Sequence, residues 1–128
     1  MISNKKIGSK FEKDYAEWLS SSGYWVHLVA GSNHTGSQPF DIIAIKNDVP
    51  YCIDCKTLSN KSGTFNLNRI EENQRLSFKK YKKCGNRYFY LAILWNNNIY
   101  NVWIDDIDFN KKSINVKDHT LEVEEFYE

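Results

Sequence analysis

Two apolar runs, Phe40 to Lys46 and Pro50 to Lys56, flank Asn47-Asp48, and no other feature constrains the fold of this chain as tightly. Asn and Asp tolerate the backbone of a tight turn, so the pattern predicts a β-hairpin. Its first strand opens on Asp41, within Gln38-Pro39-Phe40-Asp41, and its second ends in Asp54-Cys55-Lys56. Alternate residues of a strand share a face. Asp54 and Lys56 therefore point the same way, roughly 6.6 Å apart, while Cys55 turns into the core. A bare carboxylate in mid-strand is costly and calls for a cation. Two carboxylates beside a lysine are what metal-assisted phosphodiester hydrolysis requires: a hard cation to offset charge on the phosphate, and a group to serve the attacking water. Asp41 and Asp54 are the expected ligands, with Lys56 as the catalytic partner.

At 128 residues the chain fits a single domain, 1–128, with one core. A composition of 41% hydrophobic and 26% charged residues, with four Trp, eight Tyr and seven Phe, excludes a disordered chain. Met1 to Lys10 has no apolar run to act as a signal, and no segment approaches the roughly 20 apolar residues of a membrane span. A cytoplasmic protein without a membrane partner is expected. Three cysteines without a secretory signal read as reduced thiols. Cys52 and Cys55 spell CxxC, yet i and i+3 face opposite sides of a strand and the only other thiol is Cys84, which argues against zinc. His27, His34 and His119 lack metal-ligand spacing.

The formal charge is only +1, but it is uneven: residues 118–128 hold five acids and no Lys or Arg. Residues 1–117 therefore carry 17 positive against 11 negative charges, a net +6. Glu12, Asp41 and Asp54 are among those acids, and a bound cation would partly neutralise them. This balance is compatible with a phosphate-binding face.

Phe11, Tyr15, Trp18 and Leu19 predict an amphipathic helix from about Gly8 to Ser22, stopped by Gly23, with Glu12 at the edge of its apolar stripe. Tyr24 to Ala30 reads as a strand and Gly31 to Ser37 as a loop. After the hairpin and a polar loop, Thr57 to Thr64, a second helix is expected over Asn68 to Lys83, with Asn68 and Glu71 at capping-box spacing and Gly85 as the stop. Gln74 falls on its apolar stripe, and a polar side chain facing inward needs a partner. Arg87 to Trp95 and Ile99 to Ile104 read as strands, with weaker ones at Ser113 to Lys117 and Leu121 to Phe126.

The order αβββαββ describes an α/β fold, a mixed central sheet flanked by helices, with the acids on the first helix and two adjacent strands. In this arrangement the chain resembles the restriction-endonuclease-like PD-(D/E)xK superfamily and its αβββαβ core. Within that superfamily it is similar to the small Holliday-junction resolvases of the archaeal and RecU types. Gly8-Ser9-Lys10-Phe11-Glu12 resembles their N-terminal helix with its Glu, Gln38 to Ala44 their PD segment, and Ile53-Asp54-Cys55-Lys56 their ExK strand. The first motif departs as Pro-Phe-Asp, and the second acid is Asp where Glu is commoner. Gln74-Arg75-Leu76-Ser77-Phe78 resembles the Gln-x-x-x-Tyr motif of RecB-type nucleases, with Phe for Tyr.

The resemblance implies catalytic roles for Glu12, Asp41, Asp54, Lys56 and Gln74. It implies a Mg²⁺ site, open to Mn²⁺ as a substitute, from Asp41, Asp54, Glu12 and the Cys55 backbone carbonyl. No small-molecule cofactor is expected. Ser32, or else Ser37, matches a loop Ser near the scissile phosphate, against the alternative of plain loop composition. Lys79, Lys80, Lys82, Lys83 and Arg87 form the densest basic run, and with Lys5, Lys6 and Lys10 they are the expected DNA contacts. The expected function is Mg²⁺-dependent cutting of branched DNA, above all four-way junctions, by a homodimer in a bacterial or phage-infected cell. The alternatives are another nuclease of the superfamily (repair, restriction or RecB-like exonuclease) and a non-catalytic binding protein of the same fold.

Overall fold

The helix predicted from Phe11, Tyr15 and Leu19 forms as α1, Asn4–Ser21, beginning ahead of Gly8. It ends before Gly23, whose φ of 96° is open to glycine at little cost. The structure is a computed structural model that describes residues 4–29 and 39–128. The whole predicted loop, Gly31 to Ser37, with Ser32, His34 and Ser37, lies outside the described residues, as do Ala30 and Gln38.

The hairpin is present. β1 (Trp25–Leu28), β2 (Ile42–Lys46) and β3 (Val49–Leu58) run antiparallel in sequence, and β2 and β3 close with Lys46 opposite Val49. Asn47 and Asp48 take φ values of 53° and 67°, the paired positive values of a two-residue turn that matches strand twist. β5 (Phe89–Trp95) and β6 (Asn98–Trp103) repeat the device, with Asn96 and Asn97 at 52° and 63°. Between the hairpins the chain forms a short strand, β4 (Thr64–Asn66), a 3₁₀ turn over Leu67–Arg69 and α2 (Glu72–Lys83). This crossover makes β3 and β5 parallel.

β7 (Ser113–Asn115) pairs with β4 in a separate two-stranded ribbon, and β8 (Thr120–Val123) closes the main sheet in the order β1-β2-β3-β5-β6-β8. The mixed α/β class expected from the sequence is the observed one. The second helix, however, starts at Glu72 and not at Asn68. The Asn66 side chain caps the Asn68 N–H at 3.1 Å within the 3₁₀ turn, and Ile70 is then extended so that its side chain is buried. The capping box accordingly joins Glu71 to Gln74, three residues on from the predicted pair. β8 ends before Phe126, because Glu125 turns the chain at a φ of 47° and Phe126 donates to the Asn97 carbonyl.

Each face of the sheet has its own core. Phe11, Tyr15 and Leu19 of α1 cover Ile42, Ile53, Cys55 and Ala92, while Phe78 of α2 packs with Cys52, Phe65, Phe89, Leu91 and Val102. β3 and β5 are buried on both sides, as central parallel strands are. Cys52 and Cys55 consequently lie in different cores. Beneath α1 the Tyr15 hydroxyl donates to Glu122 at 2.6 Å and meets the Tyr90 hydroxyl at 2.8 Å, tying the helix to β8. Among the described residues no helix is long and apolar enough to cross a membrane.

Candidate active site

Asp41 stands one residue ahead of β2 with its backbone fully committed: its N–H donates to Ile53 and its carbonyl accepts from Val29. Its side-chain Oδ2 accepts the Cys55 N–H at 2.8 Å, which locks the carboxylate against β3. Asp54, on the neighbouring strand, is only 3% exposed. Lys56 extends from the same face, as the strand period requires, and its Nζ lies 3.1 Å from Asp54 Oδ2. The alignment of that contact is poor for a hydrogen bond, so Asp54 Oδ2 is a buried acceptor without a hydrogen-bond partner.

Gln74, 4% exposed, is the inward-facing polar residue that the helix pattern singles out. Its Oε1 accepts from the Glu71 N–H at 3.1 Å and from Lys56 Nζ at 3.5 Å, and its Nε2 donates to the Pro39 carbonyl at 3.3 Å. One side chain thus joins the first turn of α2 to the lysine and to the segment leading into Asp41.

Electrostatics bring Glu12 to the same place. Burial pushes its carboxyl up to about 7, the Asp41 charge adds to the rise and Lys56 opposes it. Asp54 is also pushed up to about 7, by burial first; Lys56 again opposes, and Asp41, in hydrogen-bonding contact, raises it further. Three carboxyl groups and one ammonium therefore share one electrostatic site. Among the described residues no three His, Cys, Asp or Glu side chains are already gathered as a metal cage. The donor set still fits a hard cation. Mg²⁺ keeps several waters and takes one or two protein carboxylates, and here a buried carboxylate oxygen lacks a hydrogen-bond donor beside a second, immobilised carboxylate.

The family model described as archaeal Holliday junction resolvase (Hjc) matches residues 3–128. The chain belongs to the archaeal Holliday junction resolvase family. No curated protein matches it in sequence. Among solved structures it is similar to Hjc from Archaeoglobus fulgidus, a Holliday junction resolvase of an archaeal hyperthermophile, with a TM-score of 0.60 and 23% identity over 83% of this chain and 85% of that one. It is also similar to a bacterial homing endonuclease, I-Ssp6803I, with a TM-score of 0.57 and 15% identity over 97% of this chain and 79% of that one. At these identities the likeness shows the fold alone.

The predicted DNA contacts of this Hjc-family chain fall into three groups. Lys79, Lys80, Lys83 and Arg87 are exposed along the second half of α2 and just beyond it, with no ion pair among the described residues. Lys82 pairs with Asp105 at 2.8 Å, and Lys10 pairs with Asp14 at 2.6 Å while lying over the Tyr127 ring. These two already have partners within the chain. Lys5 and Lys6 lie in the first turn of α1, and Ser32 falls outside the described residues.

Arg69 is a site neighbour that the sequence reading missed. Its Nη1 donates to the Thr57 carbonyl at 2.8 Å, next to Lys56, its guanidinium lies over Phe65, and the Asp54 charge acts on it. No motif marks it. It reaches the site only because the 3₁₀ turn folds the crossover back onto the end of β3.

Proposed function

We propose that this chain is a divalent-metal-dependent, structure-selective endonuclease that resolves four-way DNA junctions, with Mg²⁺ as the working ion and Mn²⁺ as a substitute. The observation that carries this reading is the buried, undonated Oδ2 of Asp54 next to Asp41 and Lys56. Asp41 and Asp54 would hold the ion, with Glu12 and the Cys55 backbone carbonyl completing its surroundings. When bound, the ion offsets charge building on the phosphate and lowers the pKa of water. The chain's own residues do the rest. The Cys55 N–H fixes the Asp41 carboxylate, and Gln74 and Asp54 steer the Lys56 ammonium toward the position of an attacking water or of the phosphate oxygens. Glu12 adds a third carboxyl that releases its proton as positive charge arrives.

Symmetric cutting of a four-way junction needs two such sites, and one chain supplies one; a two-fold homodimer supplies the second. The cell interior, bacterial or phage-infected, is where such a substrate is met. The test is cleavage of four-way junctions, linear duplex and single strands with Mg²⁺, Mn²⁺ and Ca²⁺. Paired symmetric nicks in the junction are expected with Mg²⁺ and Mn²⁺. Asp41→Ala, Asp54→Ala and Lys56→Ala should each abolish them while DNA binding survives, and light scattering should give about twice the 15.1 kDa monomer mass. Undiminished cutting by Asp54→Ala would sink the site assignment.

A further inference from the structure

The far half of α2 walls a cavity of about 360 Å³ that the active-site reading does not use. Its floor is Phe78, Phe89 and Ile107, all nearly sealed from solvent, and half-buried Ile104 and Phe109 also line it. The rings are held by one another: Phe78 and Phe89 meet edge-on with centroids 4.0 Å apart, and the Arg75 guanidinium lies 4.9 Å from the centre of Phe109. At the mouth stand Lys79 and Arg87, both exposed and without an ion pair among the described residues. The acid at the mouth, Asp105, is already neutralised by Lys82.

An aromatic floor beneath free cations fits a ligand with a flat apolar body and an attached anion. The volume lies at the small end of the roughly 300–1,000 Å³ of small-molecule sites. Position narrows the choice. Gln74, which holds Lys56, occupies the first turn of α2, and Phe78 follows one turn later, about 6 Å along the axis. Phe89, in the cavity floor, pairs with Cys52, four residues or roughly 13 Å along β3 from Lys56, so a strand whose phosphodiester lies at Lys56 would run a nearby nucleotide past this mouth.

Resting on the nuclease reading above, we propose that the cavity receives one unstacked nucleobase of branched DNA, with that nucleotide's phosphate between Lys79 and Arg87. A base already unpaired at a branch enters at little cost, whereas a base in duplex must first be unstacked, so the pocket discriminates junction from linear DNA.

The experiment measures binding by fluorescence anisotropy in an Asp54→Ala background, to a four-way junction, to the same junction with abasic residues at the branch, and to linear duplex. Loss of one base–aromatic contact corresponds to roughly tenfold in affinity. Phe109→Ala should weaken junction binding by about that factor and duplex binding much less, and Phe109→Trp should restore it. The abasic junction should be weakened similarly and gain nothing from Phe109. Lys79→Glu, at an exposed position, also removes a phosphate contact open to any DNA, so it should weaken both substrates and the junction more than the duplex. Unchanged junction affinity in both variants, or equal losses on junction and duplex, would overturn the pocket while metal-dependent cutting by the wild type left the nuclease reading standing. Loss of binding to an aromatic acidic peptide in these variants, with DNA binding unchanged, would also overturn it.

Discussion

Asp54 is buried in the heart of a sheet, with the Lys56 ammonium 3.1 Å away as its counter-charge. Its carboxyl and that of Glu12 are pushed up to about 7 from ordinary values of 3.8 and 4.5, by burial first. Both groups hold a proton more tightly folded than unfolded, so folding takes up protons between about pH 4 and 7. The stability they contribute is complete below that window and is lost as pH rises through it. Without divalent cations, the melting temperature should therefore fall between pH 4 and 7. Asp54→Asn should flatten that decline and melt higher than wild type at pH 8, by about 1 kcal/mol or roughly 4 °C. Mg²⁺ should raise the wild type and leave the variant unmoved; calorimetry in chelator and in Mg²⁺ reads both, and coincident curves would refute the argument. The shared face of Asp54 and Lys56 was legible from sequence because a strand's two-residue period fixes it before any tertiary contact is known. Arg69 was not, since its approach to Asp54 depends on the 3₁₀ turn, whose direction no spacing rule encodes.

At the scale of the element, α2 acts as a bracket. Its first turn is closed by the Glu71–Gln74 capping box, and the Gln74 oxygen used in that box is also the acceptor for Lys56. Helix initiation and lysine placement thus depend on one atom. Gln74→Leu keeps the volume but strips the cap, leaving Lys56 tethered by Asp54 alone. Urea denaturation should report a loss of about 1 kcal/mol, and the cleavage rate should drop while junction affinity holds. If affinity falls and turnover stays, Gln74 belongs to DNA contact and not to positioning. The inward Gln was readable as a polar break in an apolar stripe. The helix start was misplaced by one turn, because Asn68 and Glu71 imitate the spacing of a capping box. Burial of Ile70 in the core decides against it, and a local pattern does not see that core.

Across the whole molecule, charge is uneven: residues 118–128 hold five acids and no Lys or Arg, while Lys79, Lys80 and Lys83, without an ion pair among the described residues, lie in the second half of α2. Replacing Lys79, Lys80, Lys82 and Lys83 with Ala should flatten the dependence of log affinity on log salt. Lys82 is already paired with Asp105, so three contacts are at stake, worth up to about 2.7 in slope. Filter-binding titrations from low to physiological salt would check this, and an unchanged slope would assign the run to solubility. The first hairpin was visible in sequence through its Asn47-Asp48 turn. The β4–β7 ribbon was not, since each strand has three residues and the partners are far apart in the chain. That contrast between near and distant pairing also orders events in time. Asp41 and Asp54 belong to a single hairpin closed by a two-residue turn, which can zip within microseconds. The parallel β3–β5 pair must wait for the entire crossover, and non-local closure of that kind slows folding. On a ribosome the two carboxylates would already face one another while β5 was still being synthesised. If the pair holds Mg²⁺ as proposed, the ion would meet both carboxylates before β5 exists, and would act on the nascent chain as a folding aid well before any DNA is cut.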